Sequence, residues 1–225
     1  MRGDDAHHLA RVLRAEPGQR YEICDEQSVW LAEIVETGPT RIIFRTLERL
    51  NPEPLPVRIT IYAALVKFDR FEWMIEKAAE LGVERIVPFE AARSEKGLFE
   101  AATKRTERWR RVAREAGRQS RRVQPPEILT ALKFPAAVAA ESPLRYFLEE
   151  ETAPPLVRVI PAARAPSDAV AVLVGPEGGW TATERESAAT RWSAVSLAPT
   201  ILRAETAAIA AAAILMNAWM PAPIQ

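Results

Sequence analysis

The sequence predicts an α/β protein in two parts: a small antiparallel N-terminal sheet or barrel, then a larger domain with a mainly parallel sheet between helices. Three observations carry this. Short extended stretches separated by turn-forming residues fill the first fifty positions. Alternating prolines then interrupt the chain at Leu50-Asn51-Pro52-Glu53-Pro54-Leu55-Pro56, forbidding helix and favouring a stiff linker. Beyond it, apolar strands alternate with segments of helical periodicity, the pattern of parallel strands joined by crossover helices. These readings place the domains at 1–50 and 57–225, joined by the linker 51–56.

Residues 5–14 space Leu9, Val12 and Leu13 as one helical face, with Asp4 or Asp5 available as N-cap. Tyr21–Cys24, Val29–Val35 and Arg41–Leu47 read as strands, with Asp25-Glu26-Gln27 and Thr37-Gly38-Pro39-Thr40 as hairpin connections. The unbroken apolar centre of Arg58–Val66 suits a strand covered on both faces. A helix follows, with Asp69 as cap, Phe71, Met74, Ile75, Ala78 and Ala79 on its buried side, and Gly82 where a left-handed terminator is wanted. Then come a strand at Val83–Phe89, an arginine-rich helix at Thr103–Ser120, and strands at Leu144–Leu148 and Ala169–Val174. A helix at Thr181–Trp192, a short strand at Val195–Leu197 and an alanine-rich helix at Ala204–Trp219 complete the chain.

Composition narrows the function. With 48% hydrophobic and 27% charged residues, the 225-residue chain has the balance of a water-soluble globular protein. The lone Cys24 and the adjacent His7 and His8 offer no disulfide and no metal-ligand set, and no apolar run is long enough to span a bilayer. A metal-free cytoplasmic protein with no membrane role is expected. Net charge is zero, yet the segment from Lys104 to Arg122 holds nine basic residues against two acidic ones. Solvated helices usually mix charge; this excess favours phosphate binding and hence RNA. Arg11, Arg14 and Arg20 could extend that surface.

Two loops are candidates for the chemistry. Gly175-Pro176-Glu177-Gly178-Gly179 lies between an apolar strand and a helix whose Thr181 and Glu184 have capping-box spacing. Ligands of open α/β sheets bind at such strand ends, although a tight turn would look the same. Neither a phosphate-binding lysine nor a dinucleotide glycine pattern is present. The second loop, Leu197 to Thr206, again ends in a helix start. Glu205 suits the positive end of that helix, whereas Arg203 needs another reason to be there, which an anionic or RNA ligand would supply. The run Ala207–Ala213 is apolar nearly all round, fitting a helix packed into the sheet or at a dimer interface.

Six segments in order resemble the bacterial 16S ribosomal RNA (uracil-N3)-methyltransferase family: His7-His8-Leu9 with Val12-Leu13-Arg14; Lys67-x-x-Arg70-x-Glu72 leading into Lys77-x-x-Glu80-Leu81-Gly82-Val83; Arg93-Ser94; Glu115-Ala116-x-x-Gln119-Ser120-x-Arg122; Gly175 to Gly179; and Ile201-Leu202-Arg203-x-Glu205-Thr206-Ala207. The likeness spans nearly the whole chain, with one departure: the family's glycine after the leucine is replaced by Ala198-Pro199. The resemblance implies a PUA-like RNA-holding barrel followed by a SPOUT domain with a deep trefoil knot, usually a homodimer. It also implies S-adenosylmethionine as cofactor, and 16S ribosomal RNA or the assembled small subunit as partner. The cofactor would lie among Leu148, Glu149, Gly175, Pro176, Glu177, Gly178, Gly179, Leu197, Ile201, Leu202 and Arg203. Arg203 would fix the uracil, with Glu205 or Glu177 as proton acceptor. RNA would be held by Arg11, Arg14, Arg20, Lys67, Arg70, Arg93, Arg114, Arg118, Arg121 and Arg122. A related enzyme methylating another ribosomal or transfer RNA position, or a non-catalytic RNA-binding assembly factor, remains an alternative.

Overall fold

A computed structural model of the chain describes residues 1–24, 28–51, 54–166 and 168–221, the side chain of Asp4 excepted. The connection expected at Asp25-Glu26-Gln27, the Pro52-Glu53 part of the linker and the Asp4 cap lie outside these. The chain divides into two compact units, Met1–Glu53 and Pro54–Gln225.

In the first unit, helix α1 (Asp4–His7) runs straight into a π-helical stretch, His8–Val12. That widening corrects the expected helical face. Leu9 still packs on the small core, but Val12 and Leu13 are exposed, because longer i→i+5 turns rotate later residues away from the face a 3.6 period would give them. Strands β1 (Arg20–Cys24), β2 (Val29–Thr37) and β3 (Ile42–Leu50) form a three-stranded antiparallel sheet in that order. Irregularities at Leu31/Ala32 and Ile34/Glu36 bend the central pairing. Ala6, Ala15, Ile34 and Ile42 make its buried core.

The second unit is a seven-stranded sheet in which every pairing is parallel. Its strands are β4 (Arg58–Ala64), β5 (Arg85–Glu90), β6 (Glu127–Ile128), β7 (Leu132–Lys133), β8 (Leu144–Leu148), β9 (Ala169–Val174) and β10 (Ser193–Val195). The order is β10-β8-β9-β4-β5-β6, with β7 also on β5. Alternation along β9 sends Val170, Val172 and Val174 into one core and Ala171 and Leu173 into another, so both faces are buried. The first face is covered by α2 (Phe68–Glu80), α3 (Leu98–Gln119) and α7 (Ala204–Trp219), the second by α4 (Phe134–Val138) and α6 (Ala182–Ala189). A short helix, α5 (Leu156–Val159), anchors Leu156 in the first core. No helix among the described residues is long and apolar enough to cross a membrane.

Several local rules show in the result. Gly82 terminates α2 with φ +85°, and a Cβ there would come within 2.8 Å of Met216. Lys67, not Asp69, occupies the N-cap position of α2 and makes no side-chain cap; Asp69 sits in the first turn. Helix α3 begins five residues before the expected start, after the left-handed Gly97, because Leu98 and Phe99 pack against the core and extend the helix. Along α7, Ala208, Ala211, Ala212, Leu215 and Trp219 are buried while Ile209, Ala210 and Ala213 are only half covered.

Candidate cofactor cleft and its flanks

The carboxyl ends of β8 and β9 and the loop after β10 converge where the chain order reverses within the sheet, the place where open parallel sheets bind ligands. A cleft opens there. It is lined by Leu148, Glu149 and Glu150 after β8, by Val174, Gly175, Pro176, Glu177, Gly179 and Trp180 after β9, and by Leu197, Ala198, Thr200, Ile201 and Leu202 together with Ala204 and Ala207 of α7. Of the residues expected at the cofactor, only Gly178 and Arg203 are not on this lining.

Trp180 organises the cleft floor. Its indole N–H donates to the Leu148 carbonyl at 2.8 Å, tying the end of β8 to the glycine loop. Its ring lies among Phe89, Phe134 and Phe147, stacked nearly parallel to Phe89 at 6.2 Å. A Cβ on Gly175 would come within 2.9 Å of this indole, so glycine lets the loop lie directly on the ring. Gly179 has φ +69°, and a Cβ there would meet a Glu150 carboxylate oxygen at 2.5 Å. The Arg93 guanidinium donates to the Gly178 carbonyl at 2.8 Å, and Gly178 lies against its stem. Capping completes the frame: Thr181 and Glu184 form a reciprocal box at the start of α6, and buried Glu184 also accepts from the Ala92 amide at 2.7 Å.

Glu149 and Glu150 differ sharply despite adjacency. The buried Glu149 carboxylate accepts from its own loop, the Glu150 and Glu151 amides, and from the fork of Arg185 at 2.5 Å and 3.3 Å. Glu150 is exposed and reaches the cleft beside Gly179.

A second groove lies on the other side of the α7 start, lined by Asp69, Arg70, Trp73, Arg203, Glu205 and Thr206. Arg203 is the N-cap residue of α7 and exposed; Glu205 is in the first helical turn and buried. Arg70 joins the two loops, pairing closely with Glu177 of the glycine loop while its Nε stands 4.0 Å from Glu205 Oε1. The other Glu205 oxygen, Oε2, is buried without a hydrogen-bond partner among the described residues.

The residues expected at RNA differ in their surroundings. In the first unit Arg11, Arg14 and Arg20 are exposed, Arg20 lying 4.0 Å from Glu33. In the second, Lys67 is exposed at the N-cap of α2, whereas Arg70 and Arg93 are engaged with the glycine loop and Glu205 as described. Arg122 is half-buried and donates to the Ala79 and Val83 carbonyls at the end of α2; burial lowers its pKa from the usual arginine value. Charge on α3 is likewise partly used internally. Arg108 forks onto Glu72 at 2.6 and 2.8 Å, Arg105 lies 5.0 Å over the Phe68 ring, and Arg110 pairs with Glu107 and reaches the Ile128 carbonyl. Lys104, Arg111, Arg114, Arg118 and Arg121 remain exposed. Helices α2 and α3 run side by side in the same direction, so Arg114, Arg118 and Arg121 lie toward the end away from the cleft, with Lys104 and Arg105 nearer to it. Among the described residues, no group of three His, Cys, Asp or Glu side chains could hold a metal.

With this geometry in view, the relatives are informative. A family model described as an RNA methyltransferase domain matches residues 53–216, and one described as an RNA methyltransferase PUA domain matches residues 2–47. A ribosomal RNA small subunit methyltransferase E from Mycobacterium tuberculosis is 33% identical, over 96% of this chain and 86% of its own length. The chain belongs to this RNA methyltransferase family. Solved structures agree: a methyltransferase from Legionella pneumophila in complex with S-adenosylmethionine superposes with TM-score 0.78 at 28% identity, covering 95% of this chain and 88% of that one. The family's ribosomal RNA small subunit methyltransferase E from Neisseria gonorrhoeae, bound to S-adenosyl methionine, gives 0.74 at 28% identity, covering 95% and 89%.

Sequence reasoning missed Trp180 and Glu150 as parts of the cleft. An aromatic residue after a glycine pair and an acid after a strand were the only signals, and each has many ordinary explanations.

Proposed function

We propose that this protein transfers a methyl group from S-adenosylmethionine to N3 of a uridine in 16S ribosomal RNA. The cofactor is held in the cleft among the loops after β8, β9 and β10. The observation carrying the reading is the convergence of those three loops on one cleft in a chain whose relatives are named for this class of reaction.

The donor set fits the cofactor. Leu148, Val174, Leu197, Leu202 and Ala207 offer apolar walls for a flat adenine, and Gly175 and Gly179 expose backbone where a Cβ would obstruct. Glu150 and Glu177 supply negative charge for a cationic ligand. When bound, S-adenosylmethionine supplies an electrophilic methyl carbon whose bond to sulfur breaks as the bond to N3 forms, its electron pair leaving with sulfur. The chain's own residues do the rest. Arg203, exposed and without a side-chain partner among the described residues, faces the base and stabilises the charge its carbonyl oxygens gain. Glu205, held near the positive end of α7, accepts the proton that leaves N3. Arg70 keeps Glu177 and Glu205 apart from each other's negative charge and fixes both loops.

The first unit acts as a PUA-like barrel holding RNA through Arg11, Arg14 and Arg20. The second is a SPOUT domain with a trefoil knot, and the half-covered Ile209, Ala210 and Ala213 of α7 support a homodimer. Lys67, Arg114, Arg118 and Arg121 carry the remaining phosphate contacts, and the protein works in the cytoplasm on the small ribosomal subunit or its RNA.

Arg203→Ala tests the reading. Methyl transfer to small subunits should fall at least a hundredfold while calorimetric affinity for the cofactor stays within about threefold, as for loss of one charge-stabilising donor. Wild-type turnover in that variant would refute it.

A further inference from the structure

We propose that the groove between α2 and the start of α7 seats the target base, with Trp73 as its stacking face. The row Arg70, Glu205 and Arg203 reads the uracil edge there. The inference rests on the proposed N3 chemistry and adds how the base is recognised.

Uracil presents an acceptor, a donor and an acceptor in sequence: O2, N3–H and O4. The groove offers the complementary kinds of group, two guanidiniums and one carboxylate. Glu205 is 5% exposed, and its Oε2 is buried without a partner among the described residues. An unsatisfied buried carboxylate oxygen is costly, and an N–H arriving with a ligand removes the cost. Arg70 is only partly exposed; its pairing with Glu177 holds it beside Glu205, with Nε 4.0 Å from Oε1. Arg203 lines the same groove as an exposed cation whose side chain has no partner among the described residues. Cytosine presents an acceptor at N3 and an amino group in place of O4. It would set its N3 lone pair against the Glu205 carboxylate and its amino group against a guanidinium, a mismatch at two positions.

Trp73 completes the case. It is 46% exposed, on the same groove, in a helix whose Phe71, Met74 and Ile75 are buried and whose Phe68 is half-buried. A base turned out of its stack needs an apolar face to lie on, and an indole beside guanidiniums provides one.

The experiment uses the full chain and small ribosomal subunits lacking the modification. The wild-type product is first identified by nucleoside mass spectrometry. Trp73→Ala should then lower kcat/KM for the subunit about ten- to a hundredfold, as loss of one stacked base does. Trp73→Phe should recover most of that, and cofactor affinity should stay within twofold in both. Glu205→Gln, which replaces an acceptor oxygen with an N–H donor, should lose methyl transfer more than a hundredfold with cofactor affinity again retained. If the wild-type product is a nucleoside other than 3-methyluridine, the reading of the reaction fails and this assignment with it. If 3-methyluridine forms but Trp73→Ala stays within twofold of wild type, the groove assignment alone is overturned. A loss matched by dissociation of copies in sedimentation would also overturn it, assigning Trp73 to a contact between subunits.

Discussion

Replacing Trp180 with phenylalanine should loosen the cleft from below. The indole is 4% exposed and its N–H meets the Leu148 carbonyl at 2.8 Å, so phenylalanine deletes that bond and leaves the carbonyl short of a donor. An unmade bond at this partly buried acceptor costs about 1 to 2 kcal/mol, and shrinking a ring packed among Phe89, Phe134 and Phe147 adds a cavity term, for a total of about 2 to 4 kcal/mol. In a chain of this size each kcal/mol lowers the melting temperature by about 2 to 4 °C, so the transition of the larger unit should fall by roughly 5 to 15 °C. The bond joins two of the three loops around the cleft, and Gly175 rests directly on the indole. Calorimetric affinity for S-adenosylmethionine should therefore weaken by about tenfold, equivalent to some 1.4 kcal/mol of loop ordering. A melting temperature within 1 °C of wild type would refute the packing argument. A lower melting temperature with unchanged affinity would refute the link between this tie and the cleft.

Two further outcomes follow from polar groups of the second unit. Trp109 is fully buried against Phe68 and Phe71 with its indole N–H unpaired among the described residues, so Trp109→Ala should cost about 3 to 5 kcal/mol in urea unfolding. Trp109→Phe should cost less than half as much, because it removes the stranded donor along with the ring atoms; equal costs would contradict this. The Asp168 carboxylate is held below its ordinary 3.8 by the Ala165 amide and then by the Trp219 indole N–H. A depressed carboxylate contributes stability above its unfolded pKa and loses it as pH falls through the folded one. Asp168→Asn should accordingly melt below wild type at neutral pH, with the gap closing as pH drops below 3.8. A gap that widens on acidification would reverse the sign of the argument.

The sequence was most legible in apolar runs with sharp ends. Strands β8 and β9 and helix α7 begin and end at the expected residues, because apolar runs with abrupt polar or proline-rich ends leave little choice of boundary. The short elements β6, β7, α4 and α5 escaped it, since so few residues cannot establish a period and, unlike β8, they carry no unbroken apolar run to mark them. The short strand near Val195 is displaced two residues toward the N-terminus, where pairing with β8 selects the register. Charge was the least legible property. Arg122 and Arg108 look alike in the sequence, yet one caps the end of α2 from within and the other forks onto Glu72. Only three-dimensional neighbours decide which arginines remain available to a phosphate. The two loops were singled out from their residues, but that Arg203 and Glu205 line a groove apart from the cleft among the loops after β8, β9 and β10 needed coordinates.

The position of β9 has a consequence for how the chain comes together during synthesis. It lies between β8 and β4, and its first residue pairs with Arg58, which leaves the ribosome 111 positions earlier. At about 5 to 20 residues per second, the β4 edge waits several seconds or longer for its neighbour. Throughout that interval an apolar parallel edge is open, and contacts so distant along the chain close slowly. The glycine loop and the ILR segment both follow β9, so the cleft is among the last features to form. Newly made copies should thus pass through a methylation-incompetent stage during which their aggregation risk is highest.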